Sequence, residues 1–383
     1  MESCDVLIVG AGPAGLTCAG RLAQAGLDVL LLDRQVFPRD KPCAGWITPA
    51  VLETLAIDPE EYSQGRVLQA IANFRTGLIH GPDLITRYGR TVSYGILRSE
   101  FDHYLVQRSA ARLVLGEPVT VFARSNGGWL VNGRIRARLL VGAGGHFCPV
   151  ARFLGARIGR EPVIAAQVAE LALTPDQERL CRIPVDTPAL FFCRDMKGYG
   201  WLFRKGKFLN VGLGRMDTNH LAGHMKDFCT FLKGRGYPAP DPGSGAGIQG
   251  HAYRLYQRQG GRACVGDGVL LIGDAAGLAQ PQSGEGILAA IESALLASDA
   301  ILEANGYYGH NRLEKYNERL SGRFGGSGGE IPSSPLLSGL ARSLGARLLA
   351  SRWFCRNIVL DRWFLHKYQR ALYAAPNQEE ADR

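Results

Sequence analysis

The pattern of apolar and polar positions predicts an α/β chain that opens with a strand, a helix and a second strand. Residues 4–9 have almost no polar interruption, which is typical of a buried strand in a parallel sheet. An alanine-rich helix is predicted over about 14–25, where Gly26 ends it, and a second strand over 27–32. Elements in this order are the start of an open, mostly parallel sheet covered by helices.

The middle and the end of the chain follow other patterns. Segments rich in β-branched and aromatic residues predict strands of a second, β-rich domain over residues 163–171, 189–193, 199–203 and 208–213. A Gly-, Ser- and Pro-rich stretch at 325–335 predicts a loop or hinge. Residues 336–375 have helical character and combine tryptophan and phenylalanine with seven basic residues, and the chain from 378 onward is predicted to be a loose tail.

Composition narrows the class of protein. The chain has 383 residues, of which 46% are hydrophobic and 21% charged, as in an ordinary globular protein. The net charge of +9 favours an anionic cofactor or lipid headgroups, and nucleic acid ranks lowest because no nucleic-acid motif accompanies the charge. Nine widely spaced cysteines without a Cys-x-x-Cys pair predict reduced thiols and no metal site. Without a signal peptide or an apolar run of about 18 residues, we expect a cytoplasmic protein.

The loop between the first strand and the first helix carries the pattern G-x-G-x-x-G. Gly10 permits the tight turn, Gly12 lets the backbone approach a pyrophosphate, and Gly15 lets the helix pack closely on the sheet. Free N–H groups at the helix start attract phosphates, and Asp33 after the second strand is placed to bind an adenosine ribose. A glycine-rich turn in an unrelated α/β domain is the alternative. The predicted dinucleotide-binding residues here are Gly10, Gly12, Pro13, Ala14, Gly15, Asp33 and Arg34.

A second segment indicates which dinucleotide is bound. Residues 268–277 form an apolar strand that ends in Gly-Asp, and a long helix is predicted from about 285 to 303. This resembles the second FAD fingerprint of the para-hydroxybenzoate-hydroxylase-like flavoprotein superfamily. The resemblance implies that Asp274 binds the ribityl chain and that the helix start faces the isoalloxazine, where the helix dipole stabilises the reduced cofactor. It adds as cofactor-binding residues Gly273, Gly284, Gly286 and Ile287.

Two more features bear on this resemblance. Residues 97–105 look like the R-x-x-F-D-x-x-L helix start of the same superfamily, in which the arginine, here Arg98, contacts FAD. A solvated charge at a helix end is the alternative. Ser99 and Asp102 also suit a variant of the capping box. Further on, Gly144 stands where the superfamily has an aspartate, so the backbone can approach FAD there but NAD(P)H docking is not favoured.

Two motifs are similar to those of the geranylgeranyl reductase family, a branch of that superfamily. Residues 37–45 resemble its K-P-C-G-G stretch, and 199–203 resemble its Y-x-W-x-F-P motif, which lines the substrate cavity. An alanine replaces one family glycine, and an arginine replaces the proline. The resemblance covers about residues 1–305. It adds Cys43, Ala44 and Gly45 to the predicted cofactor site, and it implies as substrate-binding residues Tyr199, Trp201, Phe203 and Arg204.

Several of these residues have a structural alternative. Cys43 is a candidate to relay a proton, and an inert buried thiol is the alternative. Tyr199 is a second catalytic candidate, and Tyr199 and Trp201 form either an aromatic wall or ordinary core. Arg204 either selects an anionic headgroup or points to water. His146 is expected to make a structural hydrogen bond rather than to act in catalysis.

These elements predict a Rossmann-like FAD-binding domain, of the para-hydroxybenzoate-hydroxylase-like (GR2) type, interleaved with a β-rich substrate domain and followed by a C-terminal helical segment. Three roles are open for that segment: a lid over an apolar tunnel, a patch that contacts a membrane, or a helix pair packed on the FAD-binding domain. The expected boundaries are 1–45, 97–160 and 262–325 for the FAD-binding domain, 46–96 and 161–261 for the substrate domain, and 326–383 for the C-terminal segment and tail.

The resemblance implies an FAD-dependent oxidoreductase. The first hypothesis is a reductase of carbon–carbon double bonds in an apolar, isoprenoid-type substrate, in which reduced flavin gives a hydride and a cavity acid gives a proton. The alternatives are a monooxygenase or halogenase-like enzyme that uses a flavin hydroperoxide, and a non-catalytic flavin-bound protein that contacts membranes. NAD(P)H, another reductant and a redox partner are all open as electron donors. Membrane contact, if made, is expected at the inner face through the basic C-terminal helices.

Overall fold

The computed structural model describes residues 1–241, 247–257, 261–325 and 345–372. The strands in those ranges are β1 (Glu2–Val9), β2 (Val29–Asp33), β3 (Trp46–Ile47), β4 (Leu68–Ile71), β5 (Asn73–Leu78), β6 (Asp83–Arg87), β7 (Ser93–Ile96), β8 (Arg112–Leu115), β9 (Phe122–Ser125), β10 (Gly128–Val131), β11 (Ile135–Gly142), β12 (Ile164–Ala172), β13 (Ala189–Phe192), β14 (Gly198–Lys205), β15 (Phe208–Arg215), β16 (Gln249–Tyr253), β17 (Val265–Gly266) and β18 (Val269–Leu271).

The α-helices in the same ranges are α1 (Pro13–Gln24), α2 (Pro49–Thr54), α3 (Pro59–Ser63), α4 (Arg98–Arg108), α5 (Pro149–Phe153), α6 (Pro175–Leu180), α7 (Leu221–Gly234), α8 (Ile287–Glu303), α9 (His310–Leu313), α10 (Lys315–Phe324) and α11 (Arg352–Phe354). A 3-10 turn spans Gly273–Ala275, and α11 continues as a π-helix over Cys355–Phe364. We call α11 and this π-helix the C-terminal helical segment.

An eight-stranded sheet carries the predicted nucleotide loop. Its main order is β17-β18-β11-β1-β2-β8, and the five strands from β18 to β8 run parallel. The hairpin of β9 and β10 extends β11 on one edge. Val6, Leu7 and Ile8 of β1 are fully buried, as is typical of a central parallel strand, and α1 and α8 pack against each other in the same hydrophobic core. The predicted Rossmann-like α/β fold is confirmed.

A seven-stranded sheet, in the order β16-β12-β15-β14-β13-β5-β6, forms the second unit. All its neighbours are antiparallel except the pair β13 and β5. Side chains alternate along β14, so Trp201 and Phe203 share one core while Leu202 joins Phe228 of α7 in another. One face of this sheet is therefore covered by α7, and the other is left for the functional cavity. A small antiparallel sheet, in the order β3-β7-β4, contacts β14 of the seven-stranded sheet.

The C-terminal helical segment packs on the second of these faces. Its Val359, Leu360 and Phe364 are buried in the same core as Trp201 and Phe203, so this part of the chain differs from the predicted helix pair on the FAD-binding domain. Within the described ranges, no helix combines the length and the apolar character that a membrane span needs. The predicted hinge, apart from its first residue, and the predicted tail lie outside the described residues.

Candidate active site

A cavity of about 680 Å³ is lined by residues of both large sheets and of the C-terminal helical segment. Its volume is within the range of about 300–1,000 Å³ that is typical of small-molecule sites. The nucleotide loop lines one end and aromatic side chains line the other. The predicted cofactor residues in its wall are Gly10, Gly12, Pro13, Ala14, Asp33, Arg34, Cys43, Ala44, Arg98, Gly144, Asp274, Gly284, Gly286 and Ile287. The other three predicted cofactor residues do not line the cavity themselves: Gly15, Gly45 and Gly273.

The nucleotide loop has the shape that the ADP part of FAD needs. Gly10 has a φ of 114°, and a Cβ at Gly15 would collide with the Gly10 carbonyl oxygen, so no side chain fits between α1 and β1. A Cβ at Gly12 would meet no protein atom within 4 Å, which leaves open space at the cavity wall for a pyrophosphate. The backbone N–H of Ala11 donates to Asp33 Oδ2 at 2.7 Å and orients the carboxylate, which keeps lone pairs for a ribose. These residues fit FAD.

A row of three polar groups crosses the middle of the cavity. Asp274 follows β18 in the 3-10 turn, and its Oδ2 lies 3.8 Å from His251 Nε2. Lys41 Nζ lies 3.3 Å from His251 Nδ1. Because an ammonium group only donates, Nδ1 accepts and the imidazole directs its Nε2–H at Asp274. Burial, reinforced by the cations of Lys41 and Arg98, lowers the pKa of His251 to about 3, so the ring is neutral.

Arg98 is a buried cation in the cavity wall rather than a solvated charge at a helix end. Its side chain donates two hydrogen bonds to Asp102, at 2.8 and 2.7 Å, and Asp102 also lies 3.2 Å from Arg39. The predicted capping box is wrong, because Leu97 is the N-cap residue and Asp102 turns inward. Burial alone would lower the pKa of Arg98, but the charge and hydrogen bonds of Asp102, with a smaller contribution from the nearby Cys43, raise it.

Aromatic rings form the other end of the cavity. Tyr199 donates its hydroxyl to the carbonyl oxygen of Ser283, and Trp201 Nε1 donates to Asn210 Oδ1 at 2.7 Å. Burial raises the pKa of Tyr199, so its hydroxyl stays protonated. With both polar tips bonded inside the protein, the rings offer mainly their apolar faces to a ligand. The aromatic residues that line the whole cavity are Trp46, Phe147, Tyr199, Trp201, Tyr253 and Phe364.

Two of the predicted substrate residues lie away from the cavity. Phe203 is in the core, 2% exposed, and does not line the cavity. Arg204 is on the opposite face of β14, as the alternation of a strand requires, and donates to Glu178 Oε1 of α6 at 2.8 Å. This pairing leaves Arg204 without access to the headgroup of a substrate in the cavity. Its neighbour Lys205 is fully buried and donates to the carbonyl oxygen of Ala44 at 3.1 Å, which supports the cavity wall from behind.

His146 makes the structural hydrogen bond expected of it. Arg262 Nη2 lies 3.1 Å from His146 Nδ1, and Arg262 Nη1 donates to the carbonyl oxygen of Ala275 at 2.8 Å. A salt bridge with the buried Glu161 fixes the same guanidinium. Arg262 therefore ties the loop that contains Gly144 to the 3-10 turn that contains Asp274.

Sequence reasoning missed Glu285, which lines the cavity just before α8. Its Oε1 accepts a hydrogen bond from the Leu288 N–H at 2.7 Å, while its buried Oε2 has no partner among the described residues. Burial, with smaller contributions from Glu292 and Asp274, raises the pKa of this carboxyl to about 7. The available signal was an acid placed between two glycines at a helix start. His251 carried no such signal, because it belongs to an edge strand far from both fingerprints.

Known proteins match this chain in sequence. Residues 3–68 match the FAD binding domain family. Over 324 residues the chain is 28% identical to menaquinone reductase of Mycobacterium tuberculosis, and the match covers 78% of this chain and 77% of that protein. It is 29% identical over 320 residues to digeranylgeranylglycerophospholipid reductase of Methanosphaerula palustris, covering 78% and 76%. FAD as the cofactor is confirmed, and enzymatic relatives disfavour the non-catalytic alternative.

Solved structures share the fold. A geranylgeranyl bacteriochlorophyll reductase-like protein from Thermoplasma acidophilum has a TM-score of 0.72 at 21% identity, and the match covers 96% of this chain and 98% of that one. The flavin-dependent brominase Bmp2 has a TM-score of 0.66 at 17% identity, covering 95% and 93%. One scaffold therefore serves both kinds of chemistry. This protein is an FAD-dependent oxidoreductase, and its resemblance to the geranylgeranyl reductase family is confirmed.

Proposed function

We propose that this protein reduces carbon–carbon double bonds in an apolar, isoprenoid-type substrate. The observation that carries the proposal is the aromatic end of the cavity, which adjoins Cys43 and has apolar side chains from Ala166 and Val168 beside the rings of Trp46, Tyr199, Trp201 and Phe364. When bound, the reduced cofactor supplies a hydride. The protein supplies an apolar site for the substrate, excludes water and provides a proton.

The substrate class follows from what this wall can bind. The polar groups of Tyr199 and Trp201 are hydrogen-bonded to Ser283 and Asn210. The polar groups of a hydrophilic substrate would therefore be left without hydrogen-bond partners beside these two rings. An alkyl or isoprenoid chain loses nothing in such a place and gains about 25 cal/mol per Å² of buried apolar surface. The names of the relatives support this class, since both are reductases and one acts on a digeranylgeranyl lipid.

The two predicted catalytic residues differ in what they can do. The Tyr199 hydroxyl donates to the Ser283 carbonyl and has a raised pKa, which makes it a poor proton donor near neutral pH, so we propose a positioning role for it. Cys43 lines the cavity next to Arg98, a cation that can only donate hydrogen bonds and therefore does not occupy the thiol hydrogen. We propose Cys43 as one proton carrier of the site.

Reduced enzyme incubated without oxygen is expected to add two hydrogens to each double bond of an isoprenoid lipid dispersed in detergent, as measured by mass spectrometry. Phe364→Asp, which places a charge in the aromatic wall, should lower turnover at least about tenfold. Tyr307→Asp, at a ring 74% exposed and remote from the cavity, is the matched control and should keep full turnover. A product that gains oxygen, and does so only in air, would instead identify a monooxygenase of the same fold.

We also propose that the outer side of the C-terminal helical segment and the turn after it contact an anionic membrane surface, from which a lipid substrate reaches the cavity. Phe364 of the segment stacks on Trp46 at 5.3 Å and meets Tyr199 at 5.3 Å, so its inner side is cavity wall. Between 352 and 370, every exposed side chain is basic or aromatic: Arg352, Trp353, Arg356, Arg362, Lys367, Tyr368 and Arg370. Basic residues near an anionic leaflet contribute about 1 kcal/mol each, and tryptophan favours the interface.

The protein should therefore sediment with phosphatidylglycerol vesicles and less with phosphatidylcholine vesicles, more weakly at high salt. Changing Arg352, Arg356 and Arg362 to glutamate should weaken binding at least about 100-fold, because three attractive charges become repulsive. A triple glutamate variant at Arg179, Arg182 and Lys226, exposed on the α6 and α7 side, matches the change in net charge and should bind normally. Equal sedimentation with both kinds of vesicle, or normal binding by the first variant, would refute the contact.

A further inference from the structure

We infer that Glu285 takes up a proton when the bound FAD is reduced and returns it to the substrate, so that this carboxyl couples the redox state of the site to proton transfer. The inference rests on FAD binding in the cavity. Its first half, the uptake of a proton, does not depend on which substrate is reduced.

The order of groups along the cavity locates Glu285 near the redox-active ring. The nucleotide loop and Asp33 suit the adenosine and pyrophosphate, and Asp274 follows Gly273, which lies against Ala14 at the start of α1. The rest of an extended FAD must then continue past Asp274 toward the aromatic end. Glu285 lies there, directly before α8: the Ser283 carbonyl two residues earlier accepts from Tyr199 of the aromatic end, and the next residue, Gly286, lies beside Asp274.

The surroundings of Glu285 suit a group that is ready to accept a proton. Oε1 is held by the Leu288 N–H, whereas the buried Oε2 has no hydrogen-bond partner in the part of the chain that the structure describes. An ionised oxygen in that position lacks the hydrogen bonds that water would give it, which costs free energy. Protonation of the carboxylate removes this desolvation cost. This is why burial brings its pKa to about 7, near the pH at which the enzyme would work.

The charged groups that act on Glu285 add to this tendency. Asp274 from the 3-10 turn and Glu292 from α8 are both acids, and Tyr199 from β14 is a neutral phenol. Glu292 is itself paired with Arg323. Two cavity cations are bonded elsewhere, Lys41 to His251 and Arg98 to Asp102. Negative charge added next to Glu285 would therefore raise the proton affinity of its carboxylate further.

A two-electron reductant, such as dithionite or NAD(P)H, delivers two electrons, and one proton accompanies them to the cofactor ring. Above pH 7 the Glu285 carboxylate takes a second proton from solvent at Oε2, because the net negative charge of reduction falls beside it. Below pH 7 it already holds that proton. In turnover, Glu285 returns the proton, directly or through the Cys43 thiol, to the alkene carbon that does not receive the hydride, and its carboxylate is restored.

The midpoint potential of the bound FAD, measured against pH by dye equilibration, tests the coupling. Wild-type enzyme should change by about 59 mV per pH unit above pH 7, since two protons accompany two electrons, and Glu285→Gln by about 30 mV. Glutamine keeps an oxygen for the Leu288 N–H but cannot titrate. Glu178→Gln, at the surface beside Arg204, is the matched control and should show the wild-type slope.

A wild-type slope of about 30 mV across pH 7–9, or a steep slope retained in Glu285→Gln, would overturn the inference. If the glutamine variant binds FAD poorly, proton uptake by wild-type holoenzyme decides the question. Reduction by dithionite in weak buffer with a pH indicator at pH 8, corrected for the protons that dithionite itself releases when ferricyanide oxidises it, should show an uptake of about two protons per FAD, and an uptake of one proton would contradict the coupling. Neither measurement uses a substrate, so a failed reductase assay and a failed coupling can be told apart.

Discussion

Replacing Asp102 with alanine is expected to lower the free energy of unfolding by about 3–5 kcal/mol. Asp102 is fully buried and accepts two hydrogen bonds from Arg98, and Arg39 lies 3.2 Å from it. The substitution leaves two cations in a poorly solvated place without their counter-charge, which costs more than the pair itself contributes. Chemical denaturation of the apoprotein measures the change, read as a shift in midpoint at constant m-value.

The matched control is Asp299→Ala. Asp299 forms an ion pair with Arg21, at 3.1 Å, in which the side chains are 42% and 22% exposed, so its loss should cost no more than about 1 kcal/mol. Replacing Arg98 by methionine together with Asp102 by leucine should recover part of the loss, since an apolar pair then replaces the buried ion pair and only Arg39 is left without its counter-charge. A cost below 1 kcal/mol for Asp102→Ala would mean that water in the cavity solvates Arg98.

Replacing Asp274 with alanine is expected to weaken FAD binding by about 10- to 150-fold. A hydrogen bond to a charged group contributes about 1.5–3 kcal/mol, and each 1.4 kcal/mol is a factor of ten in affinity. The same substitution removes the acceptor that His251 faces at 3.8 Å and leaves Lys41 without its nearby acid. Titration of apoprotein with FAD, followed by flavin fluorescence, measures the affinity.

Asp274→Asn separates the contribution of the hydrogen bond from that of the negative charge, because an amide still offers an oxygen to a ribityl hydroxyl but carries no charge. It should bind FAD more tightly than the alanine variant and less tightly than the wild type. Asp299→Ala, on the outer side of α8, should bind normally. A fully yellow Asp274→Ala protein with unchanged affinity would remove Asp274 from the cofactor site.

The sequence by itself determined the parts of this protein that depend on neighbouring residues in the chain. The turn at Gly10, the close approach at Gly15 and the position of Asp33 after β2 follow from local geometry, which a short segment specifies completely. For the same reason α8 begins at Ile287, within two residues of its predicted start. The FAD-binding fold and the cofactor were therefore predictable, because a motif in register with its strand and helix needs no distant partner.

Only the tertiary structure decided which side of each element faces the cavity. Arg204 follows the aromatic motif directly, yet strand alternation sends it to Glu178 on the far side of the sheet. His251 reaches Asp274 because an edge strand of one sheet crosses toward the other, and Phe364 reaches Tyr199 over more than a hundred residues of chain.

Glu285 shows the same division most clearly. Its place before a helix is visible in the sequence, but its unpartnered oxygen and its raised pKa come from burial by distant segments. Spacing along a chain specifies local backbone shape, whereas desolvation and the choice of partners are set by contacts between remote residues. The two sequence fingerprints thus identified FAD as the cofactor, and the packing around them determined which side chains can take part in chemistry in the cavity.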